Sequence, residues 1–386
     1  MSVQHCGISG IGAVTGYGWG RQALWDGLAG SKPAATRTGG HGPGRDETAW
    51  VAGVPDGGDE ADGPSRFARA MRGAAREAIS DAESRGWEPG RRVGLLHATV
   101  LGDTDLWNDF YTAKESDARV RDYLGLMPST PMSTFMQEFG FHGPAMNISA
   151  MCAAGNSGLL TAKAWLDAGV VDDVVFINTD LMATPEHVLH FNRLGVAITD
   201  AEPLDACRPF QEGSRGFVIG EASVGMVLSK RSPRPYADLL GGAMSHDAHH
   251  VTSVDPGHTE VSRCFSEALE NSGVRGADVA YLNAHGPGTA QCDRAEAAVF
   301  DELFSPEAGI YSVKPLAGHC MGAASAVEIS ATALGYEHGL IPAPPAVASG
   351  HPRLLDGPTP AEPGLTVKAS LGLGGHNSAV VLAPPA

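Results

Sequence analysis

Residues able to carry chemistry gather at a few places in this chain. Cys152 lies in Asn147-Ile-Ser-Ala-Met-Cys-Ala-Ala-Gly-Asn-Ser-Gly158, ahead of a helical run that stops at Gly169. His285 lies in Asn283-Ala-His-Gly-Pro-Gly-Thr289, and His319 closes Lys314-Pro-Leu-Ala-Gly-His319. Leu371-Gly-Leu-Gly-Gly-His-Asn377 is a third Gly-rich loop of the same kind. A thiol reacts as its thiolate. On the first turn of a helix, Cys152 would face unpaired backbone N–H groups and the positive end of the macrodipole, which lowers a thiol pKa. Ala153, Ala154, Gly155, Ser157 and Gly158 would let that turn be buried against other backbone. The same residues also fit a structural Cys on a small-residue helix. A Cys joined by two imidazoles can transfer acyl groups, and two neutral imidazoles donating to one oxygen can stabilise an enolate. Each His alone fits a solvated or core residue as well.

The elements around these loops alternate. Strand-like runs include Val3–Thr15, Arg92–Thr99, Asp173–Thr179, Gly216–Leu228, Tyr236–Gly242, Val279–Asn283, Gly309–Val313 and Leu365–Leu382. Helical patterns include Arg66–Arg85, Asp103–Tyr123, the run after Cys152, Thr259–Ser272, Asp293–Phe300 and Gly322–Gly335. Residues 31–64 read as a long surface loop, rich in Gly, Pro, Asp and Thr. This alternation predicts an α/β fold with mainly parallel sheets, whose active loops sit at the carboxyl ends of strands. The charged, Pro-bearing Lys230–Pro235 segment is the best candidate boundary between two halves of similar rhythm.

A chain of 386 residues can bury a large core, and 50 Gly with 26 Pro then mean turns and close backbone approaches rather than disorder. Lys+Arg number 27 against 44 Asp+Glu, a net charge of −17, which argues against nucleic acid or an anionic membrane as partner. The Cys residues are scattered without a C-x-x-C pair, so no zinc site or disulfide framework is expected. The start lacks a basic region before an apolar run, and no apolar run approaches ~18 residues, so a cytoplasmic protein is expected.

Five stretches, in order, resemble the elongating β-ketoacyl-acyl carrier protein synthases, the condensing enzymes of fatty acid and polyketide synthesis. Ser149–Gly155 is similar to the nucleophile turn, and Pro209-Phe-Gln-Glu-Gly-Ser-Arg-Gly-Phe-Val-Ile-Gly-Glu221 to the Arg-Gly-Phe-Val…Gly-Glu strand pair. His285-Gly-Pro-Gly-Thr with Asp293 and Glu296 resembles the first His motif, Ser312–Ala324 the Lys and second His motif, and Ser370–Asn377 the closing Gly-rich turn. The resemblance implies a duplicated thiolase fold, an αβαβα five-layered sandwich. Residues 1–232 would form the half carrying the nucleophile and 233–386 the half carrying both catalytic His, in one compact unit.

It further implies that Cys152 accepts the acyl chain as a thioester, with its own N–H and that of Leu373 as oxyanion hole. His285 and His319 would bind the malonyl thioester, promote decarboxylation and hold the enolate. Lys314 and Glu296 would form a buried pair that positions the His loops, with Asp293 nearby. Leu373, Gly374, Thr289, Phe217 and Met151 would contact substrate. No metal and no cofactor are implied, since loss of CO2 drives the reaction. The implied partners are an acyl carrier protein, malonyl and acyl thioesters, and either a second copy or a chain-length factor. Carrier proteins of this class are acidic, so the face formed by Arg66, Arg69, Arg72 and Arg76 is the candidate docking surface, and an ordinary solvated helix face is the alternative. A mainly structural subunit of a heterodimer, and an acyltransferase using the same Cys, are the alternatives.

Some positions depart from the family. Met151 replaces a common Ala, Pro287 a hydroxyl residue, Leu371 and Leu373 the usual Phe, and His376 the usual Thr. The loop around Asp103 and Asp105 is acidic where the family often lines its acyl tunnel. These departures bear on chain length and gating, and point to a specialised polyketide-type synthase.

Overall fold

The computed structural model describes residues 6–112, 120–362 and 364–385. Residues 3–5 of the first expected strand and 113–119 of the helix expected over Asp103–Tyr123 lie outside them. The large sheet takes its five main strands of the first half in the order of the chain: β1 (Cys6–Thr15), β2 (Val93–Ala98), β3 (Ala145–Ile148), β4 (Asp173–Asp180) and β5 (Ala222–Ser229). Five belong to the second: β6 (Asp238–His246), β7 (Val279–Asn283), β8 (Gly309–Tyr311), β9 (Leu365–Gly372) and β10 (His376–Ala383). The principal helices are α1 (Arg66–Ser84), α2 (Ala154–Asp167), α3 (Thr259–Asn271), α4 (Ala290–Leu303) and α5 (Ala324–His338).

The two halves share one strand order. In each, the first strand neighbours the fifth, the fifth the fourth, the fourth the second, and the second the third. In each, the first two of these pairings are antiparallel and the last two parallel. The expectation of mainly parallel sheets is therefore corrected. The last strand of each half returns beside the first, so alternation of strands with helices does not by itself fix strand direction. β1 also pairs β6 antiparallel, through Cys6 with Leu239 and Gly7 with Asp238, which joins all ten strands into one 11-stranded sheet with the short Gly18–Trp19 strand on β1.

Burial explains the layers. β4 sends Val174 and Phe176 to one core and Val175 and Ile177 to another, so four successive residues are apolar and the whole strand is buried because both faces are covered. α1 covers one face of the first half with Phe67, Met71, Ala74 and Ala78. α2 and α5 lie in the middle, sharing a core with Ile8, Leu96 and Val380 from both halves. α3 and α4 cover the outer face of the second half with Val261, Phe265, Val299 and Phe300. The sequence of layers is helix, sheet, helix, sheet, helix.

The close approach of α1 to β1 depends on glycine. A Cβ on Gly12 would stand 2.1 Å from the Ala74 carbonyl oxygen and 2.6 Å from the Ala78 nitrogen, both backbone atoms that cannot swing aside. Gly12→Ala is expected to destabilise the fold by about 1–3 kcal/mol through overpacking, measured by urea unfolding. An unchanged midpoint would show that α1 is free to shift. The stretch 31–64 is not a continuous loop. Thr36–His41 and Glu47–Ala52 pair antiparallel, and Glu47–Ala52 runs parallel to Ile219–Gly220 in a small side sheet. Gly39 and Gly40 hide the strand alternation there. No described helix is long and apolar enough to cross a membrane.

Candidate active site

β3 leads into a 3-10 turn, Met151–Ala153, that opens α2. Met151 holds the left-handed backbone conformation, φ 49°, which a non-Gly residue adopts at a cost. Its counterpart in the other half is Met321, φ 48°, in the 3-10 turn Met321–Ala323 that opens α5. The two turns read Met151-Cys-Ala-Ala154 and Met321-Gly-Ala-Ala324, so the duplication reaches the strained residue itself. Where the first turn presents a thiol, the second has Gly322. A Cβ there would stand 2.2 Å from the carboxylate of buried Asp180, which instead accepts the N–H groups of Val100 and Gly322.

Cys152 is buried, 8% exposed. Burial pushes its thiol up to about 11, against the opposing pull of Lys314 and a backbone hydrogen bond from Leu373. The expectation that the helix start lowers this pKa is corrected, because the cost of charging sulfur away from water exceeds the gain from the macrodipole. The resting thiol is protonated, and its polar neighbour is His319 Nε2, 3.3 Å from Sγ. Sγ, one nitrogen of His285 and one of His319 all lie within 4.8 Å of one another, and among the described residues no other set of His, Cys, Asp or Glu ligand atoms converges in threes. The two rings meet edge to face, with centroids 5.4 Å apart, and His319 also lies edge-on to Phe217 at 4.6 Å. Both imidazoles are held well below the usual histidine range, by burial first and then by Lys314. They are neutral at pH 7.

The loops are held from behind. Glu296 on α4 accepts the N–H groups of His285 and Gly286 at 2.6 and 2.7 Å. Asp293 accepts those of Gly288 and Phe210 at 3.1 and 3.2 Å. Burial raises both acids, Glu296 to about 7 and Asp293 to about 8. Lys314 does not pair with Glu296. Its Nζ binds Glu328 of α5 and donates to the His285 carbonyl oxygen. The expected Lys314–Glu296 pair is corrected on this geometry: both Glu296 oxygens are already engaged by backbone N–H groups, and Glu328 faces the lysine. Lys368 on β9 reaches the other oxygen of Glu328 at 2.7 Å. Glu328 and Lys368 escaped the sequence reading. Their signal was a charge inside an otherwise apolar helix and an otherwise apolar strand.

A cavity of about 510 Å³ opens at this centre. Cys152, His285, His319, Met151, Phe217, Thr289, Leu373 and Gly374 all reach its wall. Lys314 and Glu296 stand behind the wall. One end is apolar, built by Val100, Met182, Phe191, Val196 and Met321. Asp103 and Asp105 are not on it. Asp103 instead accepts the Leu106 N–H at 3.1 Å at the start of the helix Thr104–Thr112, and binds the Ser65 hydroxyl. His376 packs against His246, ring centroids 4.9 Å apart, where β6 and β10 pair.

Three of the four arginines on the α1 face are paired with carboxylates of the chain. Arg66 pairs with Glu221 at 3.1 Å, and Arg72 with Asp62 at 3.1 Å and with Glu138. Arg76 pairs with Glu138 at 2.7 Å, and Arg69 donates to the carbonyl oxygens of Gly57 and Pro64. Of the arginines expected to dock the carrier, Arg66 and Arg72 are therefore engaged in ion pairs that hold α1 to its neighbours, while Arg69 has no carboxylate partner among the described residues.

Comparison with known proteins agrees with this site. Residues 55–234 match the family described as β-ketoacyl synthase, N-terminal domain, and residues 236–347 match β-ketoacyl synthase, C-terminal domain. The chain is 30% identical to the tetracenomycin polyketide synthase ketoacyl synthase alpha subunit of Streptomyces glaucescens, over 87% of this chain and 85% of that one. It is 31% identical to an oxytetracycline polyketide putative β-ketoacyl synthase of Streptomyces rimosus, over 81% and 79%. Among solved structures, a ketosynthase complex with its type II polyketide acyl-carrier protein is similar with TM-score 0.86 and 22% identity, over 99% of both chains. The ishigamide ketosynthase/chain length factor is similar with TM-score 0.84 and 23% identity, again over 99% of both, and these two show the thiolase-like fold. With both family domains matched in order and the Cys–His–His cluster at the junction of two duplicated halves, the chain belongs to the β-ketoacyl synthase family of condensing enzymes.

Proposed function

We propose that this chain builds carbon–carbon bonds by decarboxylative condensation in polyketide or specialised fatty acid synthesis. The observation that carries the reading is the meeting of the Cys152 sulfur and the His285 and His319 nitrogens, within 4.8 Å, on the wall of one cavity. In the first half-reaction, Sγ attacks the thioester carbonyl of an acyl carrier. The N–H groups of Cys152 and Leu373 hold the oxyanion, and the carrier thiol leaves with the proton that Sγ gives up. In the second, malonyl carrier binds and both neutral imidazoles donate to its thioester oxygen. CO2 leaves, and the enolate carbon attacks the acyl carbonyl. The bond to Sγ breaks, the β-ketoacyl carrier leaves, and the thiolate takes up one proton from solvent, which balances the loss of the malonyl carboxylate as CO2. Met151, Phe217, Thr289 and Gly374 shape the walls, Lys314 and Glu328 position the His285 loop from behind, and Glu296 fixes its backbone. A cytoplasmic setting fits the six cysteines standing as free thiols.

The test is CO2 release from malonyl carrier by the purified chain, alone and as Cys152→Ala. Release by both supports the reading, and release by neither marks a mainly structural subunit. An acyltransferase would acylate Cys152 without releasing CO2.

The chain works as a dimer in this proposal, with a second copy or a chain-length factor. β3 ends the large sheet with Ala145 and Met146 exposed, and Trp107 and Tyr111 of the helix Thr104–Thr112 are exposed too. Solved relatives include a ketosynthase with its chain length factor. For the acidic carrier, Arg193 is the better docking cation. It is exposed, has no ion-pair partner among the described residues, and precedes Leu194 and Gly195 at the cavity. Arg193→Glu is expected to raise KM for carrier-bound substrate by about threefold or more, with kcat nearly unchanged. Steady-state kinetics checks this, with a small thioester as control. Equal effects on both substrates would mean that Arg193 does not touch the carrier.

A further inference from the structure

Lys368 is fully buried in β9, a strand otherwise apolar or small from Val367 to Gly372. Its Nζ lies 2.7 Å from Glu328 Oε2, donates to the Ala284 carbonyl oxygen at 3.4 Å, and donates to the Ala369 carbonyl oxygen. Those contacts belong to three separate elements. Glu328 is on α5, Ala284 immediately precedes His285, and β9 runs directly into the turn that carries Leu373. Burying a lysine costs heavily unless it is paired. Glu328 does not explain the expense, because Lys314 already neutralises it from the other side. A single cation would complete that pair, and an apolar side chain would fill the strand position more cheaply. The site keeps two.

We propose that Lys368 is a positioning residue for the condensation, fastening the His285 loop to the strand of the oxyanion turn and, with Lys314, surrounding both imidazoles with positive charge. This rests on the decarboxylative reading of the site. The charged and titratable groups facing Lys368 are Glu328 from α5, Lys314 from its short helix, Glu296 from α4, and the two histidines. Lys314 and Lys368 together outweigh Glu328, and Glu296, raised to about 7, cancels only part of the remaining positive charge beside the rings at pH 7. That charge disfavours imidazolium and favours the anionic enolate. Lys368 itself is drawn down to about 8, by burial first and against Glu328, so it is mainly charged at pH 7.

The experiment compares Lys368→Met and Lys368→Arg in the full chain. It measures CO2 release from malonyl carrier from pH 5 to 9, with acylation of Cys152 as a check on folding. Removing a cation raises the pKa of each imidazole and of Glu296, so the acid limb of the kcat profile should move up in Lys368→Met, by about one pH unit. kcat at pH 7 should fall about tenfold, with KM changed less than about twofold. Lys368→Arg should keep the limb in place. Lys368→Gln, also uncharged, gives the same reading should the methionine variant not fold. The proposal is overturned if a folded neutral variant has the wild-type profile, if Lys368→Arg is displaced as far as the neutral variants, or if neither neutral variant folds. A wild-type chain that releases no CO2 refutes the decarboxylative reading itself, before any variant is compared.

Discussion

Cys152→Ala is expected to abolish condensation, lowering it on the order of 10⁴-fold or more, while CO2 release from malonyl carrier persists. The split follows from the geometry. Among the described residues the Cys152 sulfur is the thiol that meets both imidazoles, within 4.8 Å, so in this account the first substrate is not held without it. Decarboxylation in this account uses the two rings, and the backbone that carries them is held by Glu296, Lys314 and the Val218 carbonyl, contacts that do not involve the thiol. Parallel assays of product and CO2 check it. Loss of both activities in a folded variant would mean that the sulfur takes part in decarboxylation. Retention of condensation would mean that another group carries the acyl chain.

The second large effect concerns stability. Glu328→Ala would leave Lys314 and Lys368 buried beside each other, 1% and 0% exposed, with no carboxylate between them. Breaking a buried ion pair from one side costs about 3–5 kcal/mol, because the remaining charge stays in a poor solvent. The loss should appear in urea unfolding at neutral pH. A double-mutant cycle then separates the two candidate partners of Lys314. Coupling of Lys314 with Glu328 should be large, and coupling with Glu296 small, since Glu296 binds backbone N–H groups. The reverse ranking would restore the pair that the family resemblance implied.

Much of this site was legible before any coordinates. Cys152, His285, His319 and the Gly-rich turn at Leu373 sit in loops whose residue types follow from the chemistry, and such patterns are local. What stayed hidden depends on partners distant in sequence. Glu296 and Glu328 both sit within reach of Lys314 along the chain, and only packing decides between them. The arginines of α1 look free on a helical wheel, but Asp62, Glu138 and Glu221 come from elsewhere to meet them. The thiol of Cys152 shows its helix position in the sequence but not its burial, and burial decides its pKa. The fold was legible as repeated strands and helices. The antiparallel return of β5 and β10 was not, because a strand covered on both faces reads the same in either direction.

The duplication bears on how the site is built. Met151 and Met321 take the same strained conformation at equivalent turns, yet one turn holds the Cys152 thiol and the other a glycine closed off by Asp180. One half supplies the sulfur, and the other supplies both imidazoles and both buried lysines. The centre forms only where the halves meet.

The most direct measurement is the mass of the protein after brief incubation with an acyl carrier, followed by peptide mapping. The account predicts one added acyl group, found on the peptide containing Cys152 and discharged when malonyl carrier is supplied. Product formed while that peptide stays unmodified, or an acyl group on any other residue, would contradict it.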